Sequence, residues 1–364
     1  MNQYLQSNLD LAQILESHRG ECHVIVLHDF PDPDAIACAF AHRQISKEFE
    51  IEADIIYTGE ISHQQNLALV KLLDNELFVY EESMDMGKYQ AAIFLDHQGA
   101  TVEEVISALE KANVPILLVV DHHKPYDRLT PKFSEIIETG STATIYAYFL
   151  ERGVIELDKT DTNLTLMATS LLHGILTDTG GFIQADAQDF HAAAFLSHYR
   201  DADILNQIMS QERTKHVLDV IQSALENRET IENFSVAGIG YVRAGDRDVI
   251  PQAADFLLTE ENVHTVVVYG IVKDDEHEET LVGSLRTSKF ILDPDKFIKD
   301  TFGKGVDGMY FGGGRKSAGG FAIPVGFLSN GSSEDFQKLK WKTYDAQIKH
   351  KIYAKIGVND ENDF

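Results

Sequence analysis

The stretch HVIVLHDFPDPDAIACAFAHRQI, residues 23–45, decides the fold of this chain. Its first part, HVIVLH, is an apolar run of strand length, and DAIACAFAHRQI has the length of a helix. Apolar strands that alternate with helices are typical of βαβ units, in which the strands run parallel. The stretch therefore predicts a parallel sheet whose first strand begins near residue 23.

The same alternation of strand-length and helix-length segments continues along the chain. The next segments are IEADIIYT, ISHQQNLALVKLL, AAIFLDH, TVEEVISALEKA and PILLVVDHH. This order predicts an N-terminal α/β domain with a mostly parallel sheet flanked by helices. After residue 230, the runs FSVAGIGYV, HTVVVYGIVK, TLVGSLRTS and GFAIPVGF alternate with helical segments, which predicts a smaller C-terminal α/β domain with a mixed sheet.

Aspartate and histidine residues follow three of the N-terminal apolar runs. His28 and Asp32 follow the first run, Asp96 ends the second, and Asp121 with two histidines ends the third. Because the carboxyl ends of parallel strands share one edge of a sheet, these side chains are expected to meet there. Taken singly, an aspartate after a strand is more often a helix N-cap, and Asp34 is a candidate for that role.

The residue types in this set indicate a metal site. Carboxylate oxygens together with imidazole nitrogens suit manganese, iron or zinc better than calcium, which prefers oxygen alone. Two such ions roughly 3.5 to 4 Å apart can stabilise both the attacking and the leaving oxygen of a phosphoryl displacement. We therefore expect two divalent ions, with Mn²⁺ as the first choice and Mg²⁺, Fe²⁺ or Co²⁺ as alternatives.

Four motifs together resemble those of the DHH phosphoesterase family. They are H-x3-D-P-D-A at residues 28–35, the strand-end aspartate at 96, D-H-H at 121–123 and G-I-L-T-D-T at 174–179. The resemblance implies two ligand sets that share one carboxylate: His28, Asp32 and Asp96 for one ion, and Asp34, Asp96, His122 and Asp178 for the other. It also implies that Asp121 supports the adjacent histidines and that His123 faces the substrate phosphate or orients the nucleophile. His97 could approach the ions or point away from them.

A glycine run near the C-terminus provides a second motif, MYFGGGRKSAGGFAIP at residues 309–324. We expect a loop in which Gly312, Gly313 and Gly314 expose main-chain N–H groups to an anion. The run resembles the Gly-Gly-Gly-His signature of the DHH-associated C-terminal domain, which implies a substrate-binding role. Arg315 stands where that signature has histidine, and a guanidinium can still bind a phosphate through two parallel hydrogen bonds.

The segment TLVGSLRTS, residues 280–288, reads as a strand that ends in small polar residues around Arg286. It resembles the Ser-x-Arg-Ser stretch of the same family, which implies that Ser284 and Arg286 bind the substrate. The alternative is an exposed arginine that pairs with a neighbouring carboxylate.

Composition sets the remaining expectations. The chain has 364 residues with 44% hydrophobic content, which predicts two domains. We expect a DHH metal-binding catalytic domain at 1–200, a helical connector at 201–229, and a DHH-associated substrate-binding domain with an acidic tail at 230–364, with the active site in the cleft between the two domains. There is no long apolar span or signal-peptide pattern, so we expect a cytoplasmic protein without a membrane partner. The sequence leaves open whether the protein is a monomer or a homodimer. A net charge of −27 argues against long nucleic acid as a partner.

The resemblance implies a metal-dependent phosphodiesterase that hydrolyses short oligoribonucleotides or linear dinucleotides, such as pGpG or pApA, to mononucleotides with a hydroxide activated by two metal ions. Alternative enzymes are a phosphatase for 3′-phosphoadenosine 5′-phosphate, a cyclic dinucleotide phosphodiesterase and a pyrophosphatase. A nucleotide-binding regulator that has lost catalysis is an alternative of another class.

Overall fold

The computed structural model describes residues 9–61, 64–74, 76–210, 215–273, 278–289, 291–306, 308–315, 317–329 and 333–357. The chain divides into two compact units, Met1–Gln211 and Glu212–Phe364. This division falls within the segment 201–229 that the sequence predicts to be a connector. The predicted acidic tail at 358–364 lies outside the described residues. Across the described ranges, no helix is both long enough and apolar enough to cross a membrane.

The first unit contains the predicted parallel sheet, which the structure confirms. Its strands are β1 Cys22–Val26, β2 Glu52–Tyr57, β3 Leu77–Val79, β4 Ala91–Leu95, β5 Ile116–Asp121 and β6 Phe133–Ile136. They lie in the order β3-β2-β1-β4-β5-β6, and every neighbouring pair is parallel. The direction of this order changes between β1 and β4, and ligands of open α/β sheets bind outside the carboxyl ends of the strands at such a point.

Helices cover both faces of this sheet. They are α1 Leu11–Glu16, α2 Pro33–Glu48, α3 Gln64–Leu72, α4 Glu103–Ala112, α5 Thr142–Glu151, α6 Thr162–Asp178, α7 Ala187–Leu196 and α8 Ala202–Met209. Successive residues of β1 alternate between the two cores: Ile25 packs with α2, α5 and α6, whereas Val24 and Val26 pack with α4. Burial on both faces explains why the strands read as continuous apolar runs.

Helix α2 begins where the chain leaves the carboxyl edge of the sheet. The side chain of Asp32 caps it by accepting a hydrogen bond from the N–H of Ala35 at 3.0 Å, and Pro33 supplies a first residue with a helical φ. Asp34, the residue that the sequence suggests as a cap, lies instead in the first turn and is fully buried. The cap thus directs both aspartates to the edge at which β1 ends.

The second unit has the predicted mixed sheet between two helical layers. Its strands are β7 Glu229–Ile231, β8 Phe234–Arg243, β9 Thr265–Lys273, β10 Glu279–Thr287, β11 Gly312–Gly314 and β12 Ala318–Pro324, in the order β11-β12-β10-β9-β8-β7. The pair β8 and β9 is parallel, and the other pairs are antiparallel. Its helices are α9 Lys215–Asn227, α10 Val249–Leu257, α11 Pro294–Phe302 and α12 Glu334–Ile356. One core contains α9 and α10, and the other contains α11 and α12.

Candidate metal centre

The carboxyl ends of β1, β4 and β5 place histidine and aspartate side chains at one edge of the first sheet. His28 lies two residues after β1, Asp96 directly follows β4, and His122 directly follows β5. Helices supply the rest, since Asp32 and Asp34 lie at the start of α2 and Asp178 is the last residue of α6. The structure therefore brings together all six residues that the sequence predicts to be metal ligands.

These six residues form two groups that have Asp96 in common. One group is His28, Asp32 and Asp96, and the other is Asp34, Asp96, His122 and Asp178; within each group the candidate ligand atoms lie within 4.8 Å of one another. The Nε2 atom of His28 is 3.9 Å from Asp96 Oδ2, and the Nε2 atom of His122 is 3.6 Å from Asp96 Oδ1. Each oxygen of Asp96 thus faces a different group.

Asp96 is held in an uncommon conformation. Its φ of 62° lies in the left-handed region, which few aspartates adopt. The residue is buried, its N–H donates to the carbonyl of Val120 at 2.9 Å, and its Oδ1 accepts a hydrogen bond from Thr142 Oγ1 at 2.8 Å. These contacts fix the direction in which the shared carboxylate points.

Asp34 is held by the start of another helix. Its two carboxylate oxygens accept hydrogen bonds from the N–H groups of Thr142 at 2.7 Å and Ala143 at 2.9 Å, the first two residues of α5. The positive end of the helix dipole favours a carboxylate at this place. Gly174 on α6 makes room for it, since a Cβ there would lie 2.8 Å from Asp34 Oδ1.

Burial and mutual repulsion disfavour the charged forms of the carboxylates in this group. Burial and the Asp178 carboxylate raise the pKa of Asp34 well above its usual value, and burial and the Asp34 carboxylate do the same to the pKa of Asp96. Burial also raises the pKa of Asp178. Repulsion between close carboxylates has this effect, and divalent cations would relieve it.

His122 provides a direct test of whether a metal ion fits. Its Nδ1 donates to the carbonyl of Thr139 at 3.0 Å, so that in the neutral imidazole, from which a bound ion would displace the second proton, Nε2 carries the lone pair that can bind the ion. Nε2 is buried, lies 3.3 Å from Asp178 Oδ2, and makes no hydrogen bond within the described part of the chain. Burial alone would lower the pKa of His122, but the Asp178 and Asp34 carboxylates raise it to about 9. The mixed nitrogen and oxygen donors fit a transition-metal ion such as manganese, iron or zinc.

Asp121 and His123 form a second element beside the ligands. Asp121 Oδ1 accepts hydrogen bonds from both the N–H and the Nδ1 of His123, at 3.2 and 2.8 Å, and Oδ2 accepts one from Gln98 Nε2 at 2.7 Å. Burial acts to raise the pKa of Asp121, but the bonds from His123 and Gln98 outweigh it and lower the pKa. His123 is partly exposed, and Nε2 is the ring nitrogen that Asp121 does not bind. Asp121 thus orients His123, one of the two adjacent histidines that the resemblance implies it supports.

His97, whose orientation the sequence left open, is turned towards the backbone. Its Nε2 donates to the carbonyl of Val26 at 3.0 Å and its Nδ1 accepts from the N–H of Gly99 at 3.2 Å. Burial lowers its pKa to about 4. Both nitrogens are therefore occupied by main-chain groups.

The substrate-binding residues predicted in the second unit have local partners. Arg286 Nε donates to Asp255 at 2.7 Å, and its Nη1 donates to Ser284 Oγ at 2.8 Å. The arginine is therefore paired with a neighbouring carboxylate, the alternative that the sequence had left open. Arg315 is exposed, and its N–H pairs with the carbonyl of Ala318 at 2.7 Å.

The predicted glycine loop is a strand. Gly312, Gly313 and Gly314 form β11 at the edge of the second sheet, paired with β12. Close packing explains the glycines here, because a Cβ on Gly312 would lie 2.1 Å from the carbonyl oxygen of Gly320. The N–H of Gly314 already donates to Asp295 Oδ1 at 3.1 Å. The expectation of a loop was wrong, because a glycine run carries no side-chain pattern that reveals strand pairing.

Sequence reasoning missed Thr142, Gln98 and Asp189. Thr142 contacts Asp96 and Asp34, and Gln98 contacts Asp121. Asp189 is buried on α7 and binds the segment that carries Thr142. The one available signal was Ser141-Thr142 ahead of an apolar run, which indicates a helix start and says nothing about its partners.

A further cluster lies away from this edge. His18 Nδ1 and His23 Nε2 approach Glu21 Oε2 at 2.8 and 3.0 Å, at the amino end of β1. These are the distances of ordinary hydrogen bonds.

Comparison with known proteins gives a match to one family model and a similar fold. A model described as the DHH family, N-terminal domain, matches residues 23–175. The chain is 34% identical over 341 residues to the uncharacterized protein MJ1633 of Methanocaldococcus jannaschii; the match covers 93% of this chain and 65% of that protein. It is 28% identical over 184 residues to a probable manganese-dependent inorganic pyrophosphatase of Bacillus cereus, which covers 49% of this chain and 55% of the relative. The chain therefore spans less than two thirds of the length of either relative.

A solved structure with a similar fold is an exopolyphosphatase-related protein from Bacteroides fragilis. The two share a TM-score of 0.66 at 16% sequence identity, over 95% of this chain and 100% of that chain. This similarity shows the fold alone.

Proposed function

This chain carries a DHH family N-terminal domain at residues 23–175, and on that premise we propose that it is a metal-dependent phosphodiesterase that hydrolyses short oligoribonucleotides or linear dinucleotides to mononucleotides. The observation that carries the proposal is the position of Asp96, whose two oxygens face two separate ligand groups. A carboxylate shared by two ligand groups can hold two ions close together, as a two-ion centre for phosphoryl transfer requires.

Two divalent ions at these groups, most simply Mn²⁺ as in the name of the pyrophosphatase relatives, would activate water and stabilise charge on the phosphate. In the proposal, His28, Asp32 and Asp96 hold one ion, and Asp34, Asp96, His122 and Asp178 hold the other. Thr142 and the start of α5 keep two of these carboxylates in place. His123, oriented by Asp121 through Nδ1, presents Nε2 to the substrate phosphate or to the attacking water.

The choice of a nucleotide substrate is supported by exposed aromatic rings in the ligand-bearing loops. Phe30, between His28 and Asp32, is 58% exposed, and Tyr126, three residues after His123, is 57% exposed. The N–H of Tyr126 is fixed by Gln98, the same side chain that binds Asp121. A nucleobase can stack on such rings, whereas pyrophosphate has nothing to stack. Arg286 and Arg315 are the proposed phosphate-binding groups of the second unit.

Inorganic pyrophosphate is a second candidate substrate. It is favoured by the sequence similarity to a probable manganese-dependent inorganic pyrophosphatase, whose alignment covers 49% of this chain. Both substrates need the same ion-binding groups, so the first unit by itself does not separate them.

The test is a panel of substrates incubated with the purified chain and Mn²⁺: a 5′-phosphorylated linear dinucleotide, a five-nucleotide RNA, a cyclic dinucleotide, 3′-phosphoadenosine 5′-phosphate and pyrophosphate. We expect mononucleotides from the linear dinucleotide at the highest kcat/KM. Replacement of both rings, Phe30→Leu with Tyr126→Leu, should raise KM for the dinucleotide and leave pyrophosphate hydrolysis unchanged. Hydrolysis of pyrophosphate alone would move the function to the second candidate, and binding of a dinucleotide without turnover would make the chain a nucleotide-binding regulator.

A further inference from the structure

The segment TGSTAT, residues 139–144, connects β6 to the first turn of α5 and contacts three of the six candidate ligands. The carbonyl of Thr139 accepts the Nδ1–H of His122 at 3.0 Å. The N–H groups of Thr142 and Ala143 donate to Asp34, and the Thr142 hydroxyl donates to Asp96. The position of this 139–144 segment therefore determines where three ligand side chains point.

The 139–144 segment is in turn held by one buried carboxylate, that of Asp189 on α7. Asp189 Oδ1 accepts hydrogen bonds from Thr139 Oγ1 at 3.0 Å, from the N–H of Gly140 at 3.1 Å and from Thr144 Oγ1 at 2.6 Å. Its Oδ2 accepts the N–H of Asp186 at 2.9 Å within the capping box of α7. All four partners are donors, so they match an ionised carboxylate, which only accepts.

One peptide group links Asp189 to His122. The N–H of the peptide between Thr139 and Gly140 donates to Asp189, while the carbonyl of the same peptide accepts from His122. Hydrogen bonds in such a chain polarise one another, so the charge of Asp189 strengthens the acceptor that faces the imidazole. That acceptor fixes the tautomer of His122 with Nε2 free and raises its basicity as a ligand.

We infer that Asp189 is a positioning residue of the candidate metal centre: through the 139–144 segment it orients His122, Asp34 and Asp96, and so sets the affinity for divalent ions. The inference rests on the proposed metal-dependent function. It goes beyond the four motifs of the DHH resemblance, because Asp189 lies in none of them and binds the ligands only through main-chain and hydroxyl groups.

Gly140 provides a way to separate Asp189 from the segment without changing either carboxylate or ligand. A Cβ at this position would lie 2.2 Å from Asp189 Oδ2 and 2.6 Å from Thr179 Cγ2. Gly140 does not have a positive φ, so alanine is compatible with its backbone. Gly140→Ala should therefore displace the carboxylate while the chain still folds.

The experiment is a titration with Mn²⁺ alone, followed by the electron paramagnetic resonance of free Mn²⁺, together with thermal melting of each variant. We expect Asp189→Ala and Gly140→Ala to raise the Kd for Mn²⁺ about 10- to 100-fold, the usual effect of losing an outer partner of a ligand. Asp189→Asn should raise the Kd less than Asp189→Ala, because its amide oxygen can accept the three bonds of Oδ1 but the amide lacks the charge that polarises the peptide between Thr139 and Gly140.

Asp186→Ala is the matched control. It removes the side chain that caps α7 by accepting from Gln188 and Asp189 N–H groups, but keeps all four donors to Asp189. It should lower Tm and leave the Kd for Mn²⁺ unchanged. Wild-type Kd in both Asp189→Ala and Gly140→Ala would overturn the inference, and so would a loss of affinity in Asp186→Ala equal to that in Asp189→Ala. Failure of the wild-type chain to bind Mn²⁺ would instead overturn the proposed function, and the inference with it.

Discussion

Asp96 adopts a left-handed φ of 62° directly after β4, and its carboxylate lies between the two ligand groups. A backbone conformation of this kind persists only where the surroundings hold it. The contacts that hold it come from Val120 and from the hydroxyl of Thr142. At the scale of single residues, the geometry of the candidate centre thus depends on side chains that are not themselves proposed ligands.

Thr142→Val tests this dependence. The substitution keeps the shape of the side chain and the main-chain N–H that binds Asp34, but removes the hydroxyl that donates to Asp96 at 2.8 Å. We expect Mn²⁺ affinity and kcat to fall by about tenfold or more. Thr142→Ser keeps the hydroxyl and should retain most of both. Equal losses of Mn²⁺ affinity in Thr142→Val and Thr142→Ser would mean that the hydrogen bond from the hydroxyl does not position Asp96.

Gly174→Ala tests the space that α6 leaves for Asp34. The added Cβ would lie 2.8 Å from Asp34 Oδ1 and 3.1 Å from its Cα, so the carboxylate or the helix must shift. We expect weaker Mn²⁺ binding and a lower Tm, measured by calorimetric titration and thermal melting. Gly245→Ala is the control, because nothing lies within 4 Å of a Cβ there. If Gly174→Ala binds Mn²⁺ as tightly as Gly245→Ala and the wild type, this account of Gly174 is wrong.

The sequence predicted which residues meet at the sheet edge, but it did not predict which groups they contact there. Strand-end positions after apolar runs were enough to predict that His28, Asp96 and His122 come close together. The sequence did not reveal that His97 turns to Val26, because the direction of a side chain at a strand end depends on tertiary contacts. It did not reveal Asp189 either, which is far from the 139–144 segment in the chain and meets it only after α7 packs.

At the scale of helices and strands, the elements were predictable where their side chains alternate or repeat. The parallel sheet follows from its apolar runs, whereas the start of α2 was expected at Asp34 and lies at Asp32. The glycines of β11 carry no such pattern, so the sequence predicted a loop where the structure has a strand. The last helix, α12, is attached to the second sheet by a buried ion pair that its sequence periodicity does not reveal. Lys340 of α12 pairs with Glu279 at the start of β10, and both side chains are buried.

Lys340→Met tests how α12 is attached to the second sheet. It would leave Glu279 buried without its cation and would remove the bond from Nζ to the carbonyl of Leu328. We expect a loss of about 3–5 kcal/mol in the free energy of unfolding of the second unit. Urea denaturation followed by fluorescence reports on this unit, because the single tryptophan of the chain, Trp341, lies in α12.

Lys338→Met is the control for this change, since Lys338 lies in the same helix and its ion pair with Glu334 is largely exposed. Its loss should cost at most about 1 kcal/mol. A similar small cost for Lys340→Met would show that the buried pair does not stabilise α12.

At the scale of the whole molecule, the charge of the chain bears on the length of the proposed substrate. The net charge of −27 should repel a long polyanion more than a dinucleotide, whose few phosphates can be neutralised by ions and arginines nearby. Repulsion between distant charges is screened beyond about 8 Å at physiological ionic strength. The effect of substrate length on kcat/KM should therefore depend on the salt concentration.

We expect kcat/KM to fall as the RNA is lengthened from two to about twenty nucleotides. Moderate salt should reduce this difference, because it screens the repulsion of the longer RNA and has little effect on the dinucleotide. The measurement is initial rate with Mn²⁺ at low and at physiological ionic strength. A longer RNA that is cleaved faster at low salt would contradict the proposed restriction to short substrates.

The measurement that tests the central claim most directly is the number of Mn²⁺ ions bound per chain at saturation, in the wild type and in Asp96→Ala, with His123→Ala as the control. Because Asp96 is the residue shared by both ligand groups, the account predicts two ions in the wild type and in His123→Ala, and loss of tight binding at both places in Asp96→Ala. Two tightly bound ions in Asp96→Ala, with its fold unchanged by circular dichroism, would contradict the assignment of Asp96 as the shared ligand of a two-ion centre.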